Sequence, residues 1–360
     1  MKKANLTLTI KFAVSLILLG ILSLTLFFLV NADTKGLEKQ QDKNLQIFDS
    51  KSKNTINPNS KIGIDSPSSP MIDKSRTRII PAGLKNAGNS CFMNSLMQVL
   101  AVCHFDRALK NSNDIFHKTT FGLITKIRQG GAINPYKEYK SIIYPALSLG
   151  FGKQEDPDFA FMKLLGLNNI ADYGNPFKLT LEVSFRKYSE NAKYDNARKE
   201  INGQHNISLL KLRDHDTLET MLNEYLNPPR SDLLHLEFDG EDKLLEGYTE
   251  SSVKVLHANR YVWFSIQNPF GKSPVKDVPM NFSMLIGEKM RYLHLKAVIV
   301  FIGSDNAGHY YSYTKYGSSW YLINDSKVHS RPNLTWSKEF RKAHPSTMIT
   351  QAVYKVSNRK

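Results

Sequence analysis

The order of apolar and polar residues divides the chain into a continuous apolar run, a polar stretch and a long region of mixed pattern. Residues 12–30 contain no charged residue, and three lysines precede them. A helix of this length rises roughly 28 Å at about 1.5 Å per residue, close to the hydrocarbon thickness of a bilayer. We therefore predict that residues 1–31 are an N-terminal membrane anchor or a signal segment. The anchor is favoured because the run is longer than the apolar part of a signal peptide.

The polar stretch, residues 32–78, is rich in Lys, Asn, Ser, Asp and Gln and has Phe48 as its one aromatic residue. It offers too little apolar surface to offset the conformational entropy that is lost on ordering. We predict a flexible linker. Lysines lie on both sides of the apolar run, so the positive-inside rule leaves the membrane orientation undecided.

Residues 79–357 have the pattern of a globular domain in which helices come first and strands later. Ser90 precedes apolar residues at helical spacing, at positions 93, 96, 97, 100 and 103. Positions 121, 124 and 127 indicate a second helix. Asp216 and Glu219 have the spacing of a capping box at the start of a later one.

Strands are indicated mainly in the second half of this region. Alternating apolar and polar residues predict strands at residues 177–185, 261–266, 293–302, 308–315, 319–324 and 349–355. Helices followed by strands favour the α+β class, with an N-terminal helical part and an antiparallel sheet.

The composition excludes several classes of protein. With 2 cysteines the chain cannot build a disulfide scaffold or a four-cysteine zinc site, and we expect neither a metal nor another cofactor. The chain is basic, with 48 Lys and Arg against 33 Asp and Glu and a net charge of +15. Because no basic stripe is interleaved with aromatic residues, we expect a solvated basic surface and no nucleic-acid partner.

Cys91 is the first candidate for chemistry, because it lies in the first turn of the helix that follows Ser90. Unpaired N–H groups and the helix dipole stabilise a thiolate at this position. Cys103 lies 12 residues further along the same helix, about 18 Å away along the axis, whereas a disulfide needs about 6 Å. The two thiols are therefore predicted to be free, and Cys91 is the candidate nucleophile.

A thiolate nucleophile needs a base, and His309 lies at the end of a predicted hairpin. Strands 308–315 and 319–324 joined by a turn at residues 316–318 place His309 opposite Asp325, or opposite Asn324 if the register slips by one. In either register a side-chain oxygen faces the imidazole and can accept its N–H, which fixes the tautomer.

Two sequence segments resemble those of a known family. Residues 83–95 (GLKNAGNSCFMNS) resemble the Cys box of the ubiquitin-specific proteases, which are papain-like deubiquitinases. Residues 308–313 (GHYYSY), followed by Trp320-Tyr321 and by residues 324–328 (NDSKV), resemble their His box. The resemblance covers roughly residues 79–355 and implies a papain-like fold.

Carried over to this chain, the resemblance implies a catalytic group for each of five positions. Cys91 would be the nucleophile and His309 the general base. Asn324 falls at the third triad position, with Asp325 as a second polar neighbour. Asn86, five residues before the nucleophile, falls at the position that donates a hydrogen bond to the oxyanion, as a tetrahedral intermediate requires.

The resemblance also implies substrate contacts from Asp156, Gly308 and Tyr310. Asp156 corresponds to one of two acidic residues that grip arginines of the ubiquitin tail. Phe159 stands at the position of the second, and Asp158 is a candidate substitute for it. Another ubiquitin-like modifier therefore stays open as the substrate.

The zinc-bound fingers of many family members are another point of difference, because this chain lacks the cysteines they need. Residues 177–185 and 207–212 are expected to form a reduced, metal-free version. The fold expected from the sequence is thus an α+β, papain-like protease domain with reduced fingers.

The expected function is that of a deubiquitinase that cleaves the isopeptide or peptide bond after the C-terminal glycine of ubiquitin, tethered to a membrane by residues 12–30. Its catalytic domain is expected to face the cytosol, because Asn324 starts a glycosylation sequon that lumenal exposure would risk modifying. The alternatives are a weak or inactive ubiquitin-binding relative, a generic papain-like protease and, for a pathogen protein, secretion into the host.

Overall fold

The structure is a computed structural model that describes residues 80–166, 174–189, 192–204, 206–211, 213–214, 216–228, 231–238, 241–268, 273–304, 307–340 and 343–358. The chain divides into two compact units, and the larger comprises Ser75–Ile302 and His309–Lys360. The predicted anchor, residues 1–31, and the predicted linker, residues 32–78, lie outside the described residues.

The helical part comes first, as predicted. In the described residues the helices are α1 (Cys91–Val102), α2 (Asp106–Leu109), α3 (Ile115–Gln129), α4 (Tyr136–Glu138), α5 (Tyr144–Ala146), α6 (Pro157–Gly166), α7 (Leu218–Leu226) and α8 (Trp336–Glu339), with a π-helical turn (Tyr139–Ile143) between α4 and α5. None of these helices combines the length and the apolar character that crossing a bilayer requires.

Helix α1 is buried along its whole length, including the polar residues that lie between its apolar positions. Its polar side chains are tolerated inside because the strand region before the helix accepts their hydrogen bonds. Asn94 Nδ2 donates to the Leu84 carbonyl at 3.2 Å, and Gln98 Nε2 donates to the Ala82 carbonyl at 2.7 Å. These bonds fix α1 against the chain that leads into it.

Within the part of the chain that the structure describes, the strands form three sheets. They are β1 (Gly83–Leu84), β2 (Ala132–Ile133), β3 (Leu179–Ser189), β4 (Ala192–Gln204), β5 (Ile207–Leu210), β6 (Ser231–Phe238), β7 (Glu241–Ala258), β8 (Tyr261–Gln267), β9 (Asn281–Ile286), β10 (Lys289–Ser304), β11 (Ala307–Tyr316), β12 (Ser319–Asn324), β13 (Lys327–Arg331) and β14 (Met348–Ser357). The largest has the order β13-β12-β11-β10-β14-β8-β5, with β9 beside β10, and the second has the order β4-β3-β7-β6. Strands β1 and β2 form a short parallel pair. Helices followed by mainly antiparallel strands confirm the mixed α+β class.

The helical part packs on the largest sheet through aromatic rings. Phe161 of α6 stacks on Trp263 of β8, with ring centroids 4.1 Å apart and ring planes 14° apart. Phe177 packs its edge against both rings, at 5.2 Å from Phe161 and 5.8 Å from Trp263. All three side chains are fully buried, so this contact fixes α6 relative to the sheet.

The two segments expected to form reduced fingers, residues 177–185 and 207–212, lie in different sheets. The first segment falls in β3, within the four-stranded sheet, whereas β5 pairs in parallel with β8 in the largest sheet. Ile207 and Leu209 lie on one side of β5 and are fully buried, because they pack into the core of the largest sheet. A short strand with two apolar positions does not by its pattern identify which sheet it joins.

The predicted capping box at Asp216 and Glu219 is also wrong. Thr217 caps α7, and its partner in the box is Thr220. Asp216 instead accepts hydrogen bonds from Arg213, at 2.8 Å from the backbone N–H and 3.0 Å from Nε. The ion pair with Arg213 uses the carboxylate that the pattern had assigned to the cap.

The hairpin of β11 and β12 forms as predicted, but its register differs by one residue. Tyr316 pairs with Ser319, so Gly317 and Ser318 make a two-residue loop rather than the three-residue turn expected. Gly317 has φ +60°, which a tight two-residue loop requires and glycine adopts without strain. The ladder ends at the pair of Ser312 with Ile323, before it reaches His309.

Candidate active site

Cys91 is the first residue of α1 and is 3% exposed. The chain enters the helix through two residues in the left-handed region, Gly88 with φ +94° and Asn89 with φ +47°. Ser90, the N-cap residue, makes no side-chain cap, and the first turn contains no acidic residue. The positive end of the helix dipole at Cys91 is therefore not neutralised by these local groups.

His309 connects this cysteine to the end of β12. Its Nε2 lies 2.7 Å from Asn324 Oδ1, and because an amide oxygen only accepts, Nε2 carries the proton of this bond. Cys91 interacts with this ring strongly enough to raise the pKa of His309. The structure thus brings together Cys91, His309 and Asn324.

The surroundings of His309 favour its protonated form. Burial alone would lower the pKa of the imidazole, but the hydrogen bond and the negative charge of Cys91 act in the opposite direction. The charge of Asp325 and the hydrogen bond to Asn324 add to them, and together they raise the pKa of His309 to about 9. At neutral pH this arrangement holds an imidazolium beside the sulfur of Cys91.

Asp325 bonds the segment of chain that contains the nucleophile. One carboxylate oxygen accepts from Asn86 Nδ2 at 3.0 Å and the other accepts from Asn94 Nδ2 at 2.7 Å. Its backbone carbonyl accepts from the Leu84 N–H at 2.9 Å. Asp325 has φ +50°, a conformation that aspartate tolerates better than most residues. The residue after Asn324 therefore fixes the segment that contains Asn86.

The amide of Asn86 is held in one orientation. Its Oδ1 accepts from the backbone N–H groups of Gly88 at 3.0 Å and Ser90 at 3.2 Å, so Nδ2 must face Asp325. Gly83 permits this approach, because a Cβ at that position would lie 2.4 Å from the Ser326 carbonyl oxygen. The predicted oxyanion donor is thus immobilised next to the start of α1.

Two residues of this network were missed by the sequence analysis. Asn94 lies three residues after Cys91 on α1, and the hydroxyl of Tyr139 donates to Asn94 Oδ1 at 2.9 Å. A polar residue one turn from the nucleophile, on a helix that is otherwise apolar, was the signal for Asn94. Tyr139 carried no such signal, since its contact depends on the π-helical turn.

The predicted substrate contacts lie on both sides of His309 in sequence and at the start of α6. The hydroxyl of Tyr310 donates to Asp156 Oδ2 at 3.3 Å. The other oxygen, Oδ1, accepts from the backbone N–H of Asp158 at 2.6 Å. Loss of hydration around the carboxylate raises the pKa of Asp156, although these hydrogen bonds oppose the rise. Gly308 belongs to the smaller of the two units, and its contact with substrate stays a prediction.

Asp158 and Phe159 differ in what they offer a ligand. Both carboxylate oxygens of Asp158 accept from Asn206 Nδ2, at 3.1 and 3.0 Å, so this side chain is directed toward the start of β5. Phe159 is 48% exposed, and the Lys163 ammonium lies 4.9 Å from its ring centroid. The exposed side chain at position 159 is therefore apolar and has a lysine over its ring.

The second cysteine is in a different environment. Cys103 follows the last residue of α1 and is fully buried, and burial raises the pKa of its thiol far above the ordinary range. Both cysteines are free, which confirms the prediction that they do not form a disulfide. Among the described residues no group of three or more His, Cys, Asp or Glu side chains could hold a metal ion.

The chain was compared with protein-family models and with curated proteins. The family model described as ubiquitin carboxyl-terminal hydrolase matches residues 82–166 and 169–339, which is more than half of the chain. The matched segments contain every residue of the network described above. A search of curated proteins finds no match.

The ionisation of His309 gives a direct test of its contact with Cys91. In the wild-type protein the imidazole is expected to titrate with a pKa of about 9. Cys91→Ala removes the hydrogen bond and the charge that raise this pKa and leaves the burial that lowers it, so the pKa falls by at least about one unit toward its ordinary value of about 6.5.

NMR titration measures this change, with the His309 signal assigned from its loss in His309→Gln. Cys103→Ala is the matched control and leaves the titration unchanged, because Cys103 does not perturb His309. A value still near 9 in Cys91→Ala would show that the imidazole is held by other groups.

Proposed function

The chain belongs to the ubiquitin carboxyl-terminal hydrolase family, and we propose that it is a cysteine-dependent deubiquitinase that hydrolyses the bond after the C-terminal glycine of ubiquitin. One observation carries this proposal. Cys91 begins a buried helix and raises the pKa of His309, and Nε2 of His309 bonds Asn324 Oδ1 at 2.7 Å. This is the arrangement that an activated thiol nucleophile requires: a base in contact with the sulfur and a third group that orients the base.

In the first step, the Cys91 sulfur forms a bond to the scissile carbonyl carbon and the carbonyl electrons move onto oxygen. The backbone N–H of Cys91 and the amide of Asn86 are the donors for this oxyanion. Asn86 is held by Asp325, Gly88 and Ser90 before substrate arrives, so little reorganisation accompanies the reaction.

In the second step, protonated His309 transfers its proton to the leaving lysine amine as the C–N bond breaks, which leaves a thioester on Cys91. Water then attacks the thioester and gives a proton to His309. The C–S bond breaks, the modifier leaves as a carboxylic acid that loses its remaining proton to solvent, and the thiolate beside imidazolium is restored. The raised pKa of His309 suits this role, because the resting imidazole already carries the proton.

Asn324 and Asp325 have different roles in this proposal. Asn324 is neutral and orients the ring of His309, while the negative charge near that ring comes from Asp325. We propose that Asp325 is a positioning residue that holds the oxyanion donor Asn86 and links it to Asn94.

Asp325→Asn tests this role. The variant removes the charge and replaces one acceptor by a donor that faces another amide, so the Asn86 donor loses its fixed position. We expect kcat for a fluorogenic ubiquitin C-terminal amide to fall about a hundredfold, the effect of losing one oxyanion donor. Asp114→Asn is the control, because Asp114 only caps α3 and asparagine caps equally well. Equal kcat values for the two variants would contradict the role of Asp325.

The identity of the modifier is proposed as ubiquitin, with another ubiquitin-like protein as the second candidate. The exposed Phe159 favours the second candidate, because the resemblance predicts an acid there that binds an arginine of ubiquitin. Asp158, the candidate substitute, is bonded to Asn206 instead. A modifier with an apolar residue in place of that arginine would fit this surface.

Electrophilic C-terminal probes of ubiquitin and of its relatives, applied to the full-length protein, test the function. We expect a covalent adduct on Cys91 that Cys91→Ala abolishes and Cys103→Ala retains, and the most reactive probe identifies the modifier. Binding of ubiquitin without adduct or turnover would indicate the inactive binder. Cleavage of casein without a response to any probe would indicate a general papain-like protease.

The four-stranded sheet β4-β3-β7-β6 is the proposed counterpart of the fingers of this family. The chain has 2 cysteines, and both lie at the ends of α1, so no cysteine is left to bind zinc in this sheet. The strands are long and paired along most of their length, which supports a sheet held by its ladders rather than by a metal.

Residues 12–30 are proposed to tether residues 79–357 to a membrane, with the catalytic domain on the cytosolic side. The sequence pattern supports this proposal. Full-length protein in cells is expected to sediment with membranes, to lose this behaviour when residues 1–31 are removed and to show no mobility shift after glycosidase treatment. A shift would place the sequon at Asn324 in the lumen.

A further inference from the structure

A series of four side chains connects the buried core to the proposed oxyanion donor. The hydroxyl of Tyr139 donates to Asn94 Oδ1 at 2.9 Å, and Asn94 Nδ2 donates to Asp325 Oδ1 at 2.7 Å. The other oxygen of Asp325 accepts from Asn86 Nδ2 at 3.0 Å. Tyr139 is fully buried and Asn94 is 2% exposed, whereas Asn86 is exposed. Three consecutive hydrogen bonds thus join an exposed group of the site to a residue of the core.

The direction of these hydrogen bonds is fixed by the partners of Asn94. Its Nδ2 also donates to the Leu84 carbonyl at 3.2 Å. A carboxylate and a carbonyl only accept, so reversal of the amide would lose the bonds to both Asp325 and Leu84. Oδ1 of Asn94 therefore faces Tyr139 and needs a donor there. Burial raises the pKa of the Tyr139 phenol well above its ordinary value, so the hydroxyl keeps its proton and donates.

The π-helical turn explains how Tyr139 comes to face α1. In this turn the N–H of Tyr144 donates to the carbonyl of Tyr139, five residues earlier. On a regular α-helix two residues at this spacing point about 140° apart, so they would not share a face. Here their ring centroids lie 5.6 Å apart, both side chains are fully buried, and the ring of Tyr144 packs its edge on Phe92 of α1. The wider turn thus brings a ring and a hydroxyl to α1 together, and such turns are frequent at functional sites.

The amide of Asn94 carries the effect of this hydroxyl toward the site. A buried acceptor that loses its donor is costly, so without the hydroxyl the amide gains a partner only by moving. A movement of Asn94 shifts Asp325 Oδ1, and with it the Oδ2 that holds Asn86. Stabilisation of an oxyanion depends on donors that are already in place, so a displaced Asn86 amide slows the reaction.

We propose that Tyr139 is a positioning residue of the proposed reaction, whose hydroxyl fixes the Asn86 amide through Asn94 and Asp325. Its ring fills the core, and its hydroxyl sets the position of the oxyanion donor without touching the substrate. This inference rests on the proposed function. It extends the role of Asp325 to a core residue and assigns a purpose to the π-helical turn.

Tyr139→Phe in the full-length enzyme tests the proposal, because it removes the hydroxyl and keeps the ring. We expect kcat for a ubiquitin C-terminal amide, or for the modifier that the probes identify, to fall about tenfold, which is less than loss of the donor itself would cause. KM is expected to change less than about twofold, because the hydroxyl acts on the geometry of the transition state and not on substrate binding.

Tyr354→Phe is the matched control. Tyr354 is also fully buried, and its hydroxyl donates a hydrogen bond to the Pro279 carbonyl at 2.8 Å. Each variant therefore loses one hydrogen bond of a buried tyrosine, and we expect similar falls in Tm. Tyr354→Phe is expected to keep the wild-type kcat, because Pro279 belongs to the loop before β9 and not to the network that holds Asn86. The comparison separates positioning from the general effect of losing a hydrogen bond in the core.

Coupling between Tyr139 and Asp325 is a second readout, which a merely structural role would not produce. In Asp325→Asn the link between Asn94 and Asn86 is already disrupted. Addition of Tyr139→Phe to this variant is therefore expected to lower kcat by less than about twofold.

Four outcomes would contradict the proposal. An unchanged kcat in Tyr139→Phe, with wild-type turnover present, would overturn this inference and leave the proposed function intact. Equal falls of kcat in Tyr139→Phe and Tyr354→Phe would assign the effect to stability. A full further loss of kcat in the Asp325→Asn background would show that Tyr139 acts independently of Asp325. Wild-type protein without turnover on any modifier substrate would overturn the proposed function itself, and this inference with it.

Discussion

The carboxylate of Asp325 is the interaction on which the arrangement of the site depends. It joins the turn after β12 to the chain around α1, two segments more than 200 residues apart in the sequence, through Asn86 and Asn94. The backbone of Leu84 and the absence of a side chain at Gly83 let these segments approach closely. We call the hydrogen bonds of Asp325 to Asn86 and Asn94 the clamp. His309 is bonded to the residue before Asp325, and Cys91 lies between Asn86 and Asn94 in sequence. The clamp therefore sets the positions of the base and the nucleophile together.

The comparison of the two cysteines shows what this clamp adds. Both are buried and free, and they lie at opposite ends of α1. Burial raises the pKa of Cys103 and keeps its thiol protonated although Lys296 and Arg260 act in the opposite direction, whereas Cys91 interacts with an imidazole whose pKa is raised. Position on the helix and contact with His309, rather than residue type or burial, distinguish a nucleophile from a core residue.

Local sequence patterns predicted much of this site. The start of α1 at Cys91 followed from Ser90 and the apolar spacing, and the hairpin that carries His309 followed from alternation. The register was wrong because a two-residue loop and a three-residue turn at Gly317 are compatible with the same alternation. The contact of His309 with Asn324 forms in spite of this error, since side chains reach across the end of the ladder.

What the sequence could not predict depends on contacts between distant segments. The bond of Asp325 to Asn94, the π-helical turn that presents Tyr139 and Tyr144, and the parallel pairing of β5 with β8 have no local signature. Each arises because buried polar groups need hydrogen-bond partners and apolar faces need to be covered. Both requirements are met only by tertiary contacts in the folded chain.

A double-mutant cycle between Asn86 and Asp325 tests the clamp most directly, with kcat for the C-terminal amide substrate as the readout. If the carboxylate acts by holding the Asn86 amide, Asn86→Ala and Asp325→Ala together lower kcat by little more than the larger of the two single effects. Two effects that multiply independently would show that Asp325 and Asn86 serve the reaction separately, and would contradict the clamp.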